Sequence, residues 1–206
     1  MTQEILQRIE KGIQYRDMSM TALADSKVVN GYATTFNEPY VLYEDEEMRI
    51  LEQVDSRAFE NADMSDVIMQ YDHRGHVFAR IRNNTLQVQT DERGLFITAD
   101  LGGTEIGRQL YEEIRGGYTD KMSFAFTVTG EDVTRMIENG KRIVTRTITE
   151  IGKLYDVSAV SIPANNGTDI SARSFCDGII QKEHEESMMR AEKRKLINLK
   201  LRLMEV

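Results

Sequence analysis

Short runs of strand-forming residues follow one another along most of the chain, and they constrain the fold more than any other feature. Valine, isoleucine, threonine and aromatic residues dominate eight segments, and several of these alternate apolar with polar side chains, as strands with one buried face do. The segments are residues 27–36, 49–54, 66–71, 85–90, 95–101, 121–128, 141–151 and 155–162. Strands and helices do not alternate regularly, so a parallel sheet with crossover helices is not expected. The pattern predicts a mainly β (α+β) domain built as an antiparallel barrel or sandwich.

One segment between the strands has helical spacing. Ile106, Leu110 and Ile114 fall at four-residue steps, Thr104 is a suitable N-cap, and Gly116 follows the last apolar position. We therefore predict one helix between Thr104 and Gly116.

The two ends of the chain differ from this β-rich region. Residues 1–18 have the apolar spacing of a short amphipathic helix, and residues 177–206 combine mixed charge with apolar residues seven positions apart. The predicted organisation is an N-terminal helical lead-in (1–25), a central domain (26–176) and a charged amphipathic helical tail (177–206).

Charge and cysteine content exclude several function classes. The chain has a formal charge of −8, whereas binding to nucleic acid or to anionic lipid requires a basic surface. The one cysteine, Cys176, excludes an intramolecular disulfide and a cysteine-rich zinc site.

The sequence has no Gly-rich phosphate loop, no apolar run near the roughly 20 residues of a membrane span, and no signal-peptide pattern at its start. We expect a cytoplasmic protein that uses no cofactor.

Residues suited to nucleophilic catalysis occur in three separate segments. Ser123 alternates with phenylalanines in a strand, so it is expected to face away from the core. His73 follows an apolar strand, at a point where the strand runs into a loop containing glycine. Asp156 lies in an otherwise apolar strand, where an unpaired carboxylate would be costly. Serine, a histidine base and an acid that orients the imidazole are the components of a hydrolytic triad.

The residues alone leave other interpretations open. His73 and His76 with Asp72 could supply part of a metal site, although no second cluster of ligands accompanies them. Cys176 is a weaker candidate nucleophile, because it lies beside the tail. The serine, histidine and aspartate could also be hydrogen-bonded structural groups of a protein that is not an enzyme.

Three blocks of sequence carry a family resemblance. The first block contains Gln70-Tyr-Asp-His73 and Val77-Phe-Ala-Arg80, the second is Lys121-Met-Ser123-Phe-Ala-Phe126, and the third is Asp156-Val-Ser-Ala-Val-Ser-Ile-Pro-Ala164. In this order and spacing, over roughly residues 28–173, the chain resembles the prohead (capsid maturation) protease family of tailed bacteriophages. By position, the resemblance implies that Ser123 is the nucleophile, His73 the general base and Asp156 the acidic third member, which is Glu in many relatives. His76 is the reserve for the third position, because the related herpesvirus assembly proteases use a histidine there.

The resemblance also implies a fold and a biological role. The expected fold is a small antiparallel β-barrel wrapped by helices, like that of the herpesvirus assembly proteases. The expected activity is that of a serine endopeptidase that cleaves scaffolding protein, or the scaffolding segment of the major capsid protein, inside the immature prohead in the host cytoplasm. Self-cleavage is expected as well, and a homo-oligomer is left open as a further partner. The alternative is a non-enzymatic capsid assembly or scaffolding module.

Overall fold

The computed structural model describes residues 13–23, 26–161 and 170–204. Ten strands and two long helices make up most of these residues. The strands are β1 Ile13–Ala22, β2 Val28–Thr35, β3 Tyr40–Glu44, β4 Met48–Val54, β5 Ile68–Tyr71, β6 Arg74–Arg80, β7 Leu86–Thr90, β8 Gly94–Asp100, β9 Lys121–Glu138 and β10 Lys141–Val160. The helices are α1 Glu105–Arg115 and α2 Ile170–Met204, and a short 3-10 helix spans Ile81–Asn83.

All ten strands join one mixed sheet. Eight of them follow the order β3-β4-β10-β9-β1-β2-β8-β7, while β5 pairs with a further part of β10 and β6 pairs with β5. Strand β10 runs parallel to β4 and β5 and antiparallel to β9. Over the described residues, β3 and β7 remain the two ends of this order, so the sheet is open there. The mainly β class with few helices is confirmed, whereas the prediction of wholly antiparallel pairing is wrong and no closed barrel is seen.

Strand β1 corrects the predicted N-terminal helix. Its residues lie between β9 and β2 and pair antiparallel with both. The prediction of a helix over residues 1–18 is therefore wrong for residues 13–18, and residues 1–12 lie outside the described ranges. Hydrogen bonding to strands on both sides outweighs a weak helical spacing, because strand preference depends mainly on the neighbours available.

Strands β9 and β10 form a long hairpin at the centre of the sheet. The two segments predicted at 141–151 and 155–162 are one continuous strand, and β9 extends to Glu138 to match it. Asn139 and Gly140, with φ of 51° and 81°, make the turn between them, as Asn-Gly does in tight hairpins. The hairpin is long because its two strands supply backbone partners for each other well beyond the hydrophobic core.

Helix α1 packs on one face of the sheet. Thr104 caps it by accepting a hydrogen bond from the Gly107 N–H at 3.0 Å, as the sequence predicts. Leu110, Tyr111 and Ile114 are buried in the main core, which also contains buried apolar side chains of β9 and β10.

Helix α2 spans most of the predicted tail and begins at Ile170, before the predicted start at residue 177. Cys176 and Ile179 pack in a second apolar cluster with Leu42, Ile50 and Val144. No helix in the described part of the chain is apolar enough over a sufficient length to cross a bilayer.

Candidate active site

Ser123 lies on the face of β9 that is turned away from the main core. Phe124 and Phe126 stack at 4.5 Å and are buried in that core, so the alternation of the strand places Ser123 on the opposite face. The serine is 1% exposed. Its hydroxyl has no hydrogen-bond partner among the described residues, which leaves it available as a donor to a base.

The register of the sheet sets the neighbours of Ser123. Ser158 on β10 lies directly opposite it, and Gln70 on β5 lies opposite Ser158 in turn. Adjacent strands are about 4.8 Å apart. Ser123 is therefore one strand away from Ser158 and two strands away from β5, which leads into the turn that carries His73.

A β-bulge places Asp156 on the same face as Ser123. Leu154 pairs with Phe126 and Asp156 pairs with Ala125, so Tyr155 is an extra residue in β10. Leu154 and Val157 both point into the core. Simple alternation from Leu154 would put Asp156 in the core as well. The extra residue reverses the alternation and turns the carboxylate to the serine face, which is a known use of bulges next to active sites.

His73 is held in a tight turn between β5 and β6. Tyr71 pairs with Arg74, and the two residues between them, Asp72 and His73, have φ of 48° and 55°. Positive φ at both central positions is the geometry of a type I′ hairpin turn. The prediction that His73 lies at a strand end is confirmed, but the following residues form strand β6 rather than a loop.

Asp72 fastens this turn to the end of β10. Its carboxylate accepts hydrogen bonds from the backbone N–H of Ser161 at 2.9 Å and from the Ser161 hydroxyl at 2.9 Å. Its own backbone N–H donates to the carbonyl of Ala159 at 2.9 Å. These bonds fix the position of the His73 backbone relative to the strand that carries Asp156.

His73 and Asp156 are in direct contact. The Nδ1 atom of His73 lies 2.6 Å from Oδ1 of Asp156, and the two side chains are 14% and 6% exposed. A carboxylate can only accept, so Nδ1 carries the proton and Nε2 is left as the basic nitrogen of the neutral ring. The Ser158 hydroxyl donates to the same Oδ1 at 2.7 Å.

Of the three residues suggested by the sequence, only two are therefore in contact. His73 and Asp156 are hydrogen-bonded, whereas Ser123 lies on the neighbouring strand and makes no hydrogen bond to the imidazole. Sequence reasoning missed Ser158 and considered Asp72 only as part of a metal site. The spacing of two residues between Asp156 and Ser158 indicates a shared strand face, but their contact depends on the carboxylate leaning along the strand.

His76 is placed apart from this contact. It is exposed on β6 and lines a cavity of about 490 Å³ between the β5–β6 hairpin and α1, together with Arg74 and Glu113. The side chain that contacts Nδ1 of His73 is thus Asp156 and not His76, the reserve for the third position. Among the described residues, no three His, Cys, Asp or Glu side chains converge as a metal-binding group.

The far end of the β5–β6 hairpin is fixed by an ion pair. Arg80 contacts both carboxylate oxygens of Asp66, one of them through Nε at 2.7 Å. The hydrogen bonds from this guanidinium lower the pKa of the Asp66 carboxyl. The hairpin that presents His73 is consequently anchored at both ends, by Asp72 at the turn and by Asp66 at the open end.

Comparison with known proteins places the chain in a family. The sequence model described as caudovirus prohead serine protease matches residues 14–189, a span that contains Ser123, His73 and Asp156. No curated protein and no solved structure matches the chain. The match covers most of the 206 residues and confirms the resemblance noted in the sequence. The chain belongs to the caudovirus prohead serine proteases.

Proposed function

We propose that this protein is a serine endopeptidase in which Ser123 is the nucleophile, His73 the general base and Asp156 the acid that orients the base. Family membership gives it a protease role in capsid maturation within the procapsid. The observation that carries the assignment of residues is the 2.6 Å contact between Nδ1 of His73 and Asp156. This contact fixes the tautomer in which Nε2 can take a proton from a serine.

The proposed reaction follows from these positions. Nε2 of His73 takes the proton of the Ser123 hydroxyl while the oxygen attacks the carbonyl carbon of a scissile peptide bond. The tetrahedral intermediate collapses when the imidazolium gives this proton to the leaving amine, and an acyl-enzyme forms. Water then attacks the ester, again with His73 as base, and Ser123 recovers its proton as the carboxylic acid product leaves. Asp156 stays ionised throughout and stabilises the imidazolium.

The serine and the imidazole must approach each other for this reaction. Hydrogen bonds between nucleophile and base are often long in enzymes without substrate and shorten in the complex. Ser123 and Asp156 are fixed on adjacent strands, while His73 sits in a two-residue turn. We therefore expect a bound peptide to complete the triad by a small movement of the His73 ring.

The proposed substrates are the scaffolding protein or the scaffolding segment of the major capsid protein. The mixed-charge helix α2 is a further candidate region for self-cleavage, because a second molecule can reach its exposed charged side chains, which include Lys182, Glu185, Arg190, Glu192, Lys193, Arg194 and Lys195. Mass spectrometry of purified protein over time tests this. Loss of C-terminal residues in the wild type but not in Ser123→Ala would support self-cleavage, and loss in both would point to host proteases.

The nucleophile is tested by reaction with a fluorophosphonate probe and by processing of the capsid precursor of the same phage. We expect Ser123→Ala to lose both activities while remaining folded. Thr34→Val is the matched control, because it also removes a buried strand hydroxyl, at 3% exposure, but outside the site. Processing of the precursor by Ser123→Ala would refute the serine assignment. An assembled wild type that neither reacts with the probe nor cleaves the precursor would favour the non-enzymatic assembly module.

A further inference from the structure

We propose that Ser158 is a positioning residue that holds the Asp156 carboxylate against His73. The inference rests on the proposed triad and adds a fourth side chain to it. Ser158 is 0% exposed, and its hydroxyl donates to Oδ1 of Asp156 at 2.7 Å. This is the same oxygen that accepts the hydrogen bond from His73.

The position of Ser158 along β10 explains why a second donor is needed. Tyr71 on β5 pairs with Ala159 on the parallel strand β10, so the turn that carries His73 lies beyond Ala159 along the sheet. Asp156 lies three residues before Ala159. Each residue of a strand advances about 3.3 Å. The carboxylate must therefore lean along the strand toward His73. A donor two residues further on the same face draws it in that direction, and Ser158 occupies this position.

The same register separates Ser158 from the nucleophile. Ser158 and Ser123 are directly opposite each other, and both are buried. The Ser158 hydroxyl is engaged as a donor to a carboxylate, whereas that of Ser123 is not engaged with any described group. The geometry thus gives the two serines different roles, although they are neighbours on one face.

The tautomer of His73 provides a readout that a purely structural role would not move. The chain has three histidines, so ring-labelled ¹⁵N-histidine gives few signals, and His73→Gln identifies that of His73. We expect a protonated Nδ1 in the wild type and a mixture of the two tautomers in Ser158→Ala. Ser158→Thr keeps the hydroxyl and should restore the wild-type signal, and Thr34→Val should leave it unchanged.

Reactivity of Ser123 gives the second readout. The rate of fluorophosphonate labelling should fall about 10- to 100-fold in Ser158→Ala, the range expected for losing a hydrogen bond to a charged group, and recover in Ser158→Thr. Because Ser158 acts through Asp156, its removal in an Asp156→Ala background should cause no further loss.

Several results would overturn the proposal. These are an unchanged tautomer and labelling rate in Ser158→Ala, a further loss of rate in the Asp156→Ala background, or a probe adduct on Ser158 itself. If Ser158→Ala does not fold, Ser158→Cys replaces it, since a thiol of similar size is a weak donor. This variant should show some of the second His73 tautomer, and a His73 signal identical to that of the wild type would count against a role for Ser158. A wild type that is not labelled would contradict the proposed function, and the tautomer measurement would still decide the role of Ser158.

Discussion

Replacing Asp156 with asparagine and with alanine should produce two very different enzymes. Both donors to the carboxylate, His73 Nδ1–H and the Ser158 hydroxyl, reach the same oxygen, Oδ1. No described group donates to Oδ2. An asparagine can therefore place its carbonyl oxygen at the Oδ1 position and its amide nitrogen at the Oδ2 position. Both hydrogen bonds and the tautomer of His73 would be kept, and only the negative charge would be lost.

The magnitudes follow from what each substitution removes. A hydrogen bond to a charged group contributes about 1.5–3 kcal/mol and a neutral one about 0.5–1.5 kcal/mol, so the loss of charge costs about 1–1.5 kcal/mol in stabilising the imidazolium. This corresponds to about a tenfold slower reaction. Asp156→Ala leaves two buried donors without their acceptor, at about 1–3 kcal/mol each in stability. It also frees the tautomer, and a triad histidine in the wrong tautomer lowers the rate of a serine protease by about 10⁴-fold.

The assay is the rate of fluorophosphonate labelling, with the free energy of unfolding from urea denaturation measured on the same samples. The expected order of rates is wild type, then Asp156→Asn, then Asp156→Ala far below. The ¹⁵N signal of His73 should remain that of the wild type in Asp156→Asn. If Asp156→Asn were as slow as Asp156→Ala, the reasoning from a single shared oxygen would be refuted.

Three other residues give independent predictions. Asp72→Asn tolerates the same positive φ but weakens both hydrogen bonds to Ser161. We expect fluorophosphonate labelling to slow about threefold to tenfold and the Ser161 amide to exchange its hydrogen faster. Unchanged exchange would contradict the role of Asp72 in fastening the turn to β10. Arg146 is 4% exposed and pairs with two carboxylates, those of Glu52 and Glu131, each at 2.7 Å. Glu52→Gln removes one of these two charges and should cost about 1.5–3 kcal/mol of unfolding free energy in urea, the range for a hydrogen bond to a charged group; a cost below about 1 kcal/mol would argue against it. The pKa of Glu44 is lowered to about 2 by hydrogen bonds from Arg49 and Lys141. A carboxyl whose pKa is lower in the folded than in the unfolded protein stabilises the fold at pH values above its unfolded pKa, and this stability is lost as the pH falls toward 2. Glu44→Gln should therefore be less stable than the wild type at pH 6 and approach the wild-type stability near pH 2, which thermal unfolding at a series of pH values will measure.

Sequence reasoning succeeded where structure is set locally. Helix α1 was predictable because its cap, its apolar spacing and its terminal glycines all lie within 14 residues (104–117). The face of Ser123 was predictable because β9 pairs with β1 without a bulge from Lys121 to Thr127, so its side chains alternate regularly there. Both features depend on residues close in the chain, so the spacing of apolar residues and the intrinsic preferences of residues for helix or strand predict them well.

Features set by distant residues were not predictable in this way. The bulge at Tyr155 determines the face of Asp156, yet it arises from pairing with β9 and leaves no simple mark in the sequence. The parallel pairing of β10 with β4 and β5 likewise depends on how connections cross the sheet. Strand β1 has a helical spacing and became a strand because two partner strands were available to it.

The site therefore depends on the register between β5 and β10 more than on any one side chain. A shift of one residue would move the His73 turn by about 3.3 Å along β10, which is more than a 2.6 Å hydrogen bond can absorb. Such a shift would also reverse the faces of every residue in β5, and Met69, fully buried in the core, would then be exposed. Burial of Met69 and the bonds from Asp72 to Ser161 thus select the same register from opposite ends of β5. The contact between His73 and Asp156 follows from this register. Packing of Met69 on one face of the sheet therefore helps to position the catalytic residues on the other face.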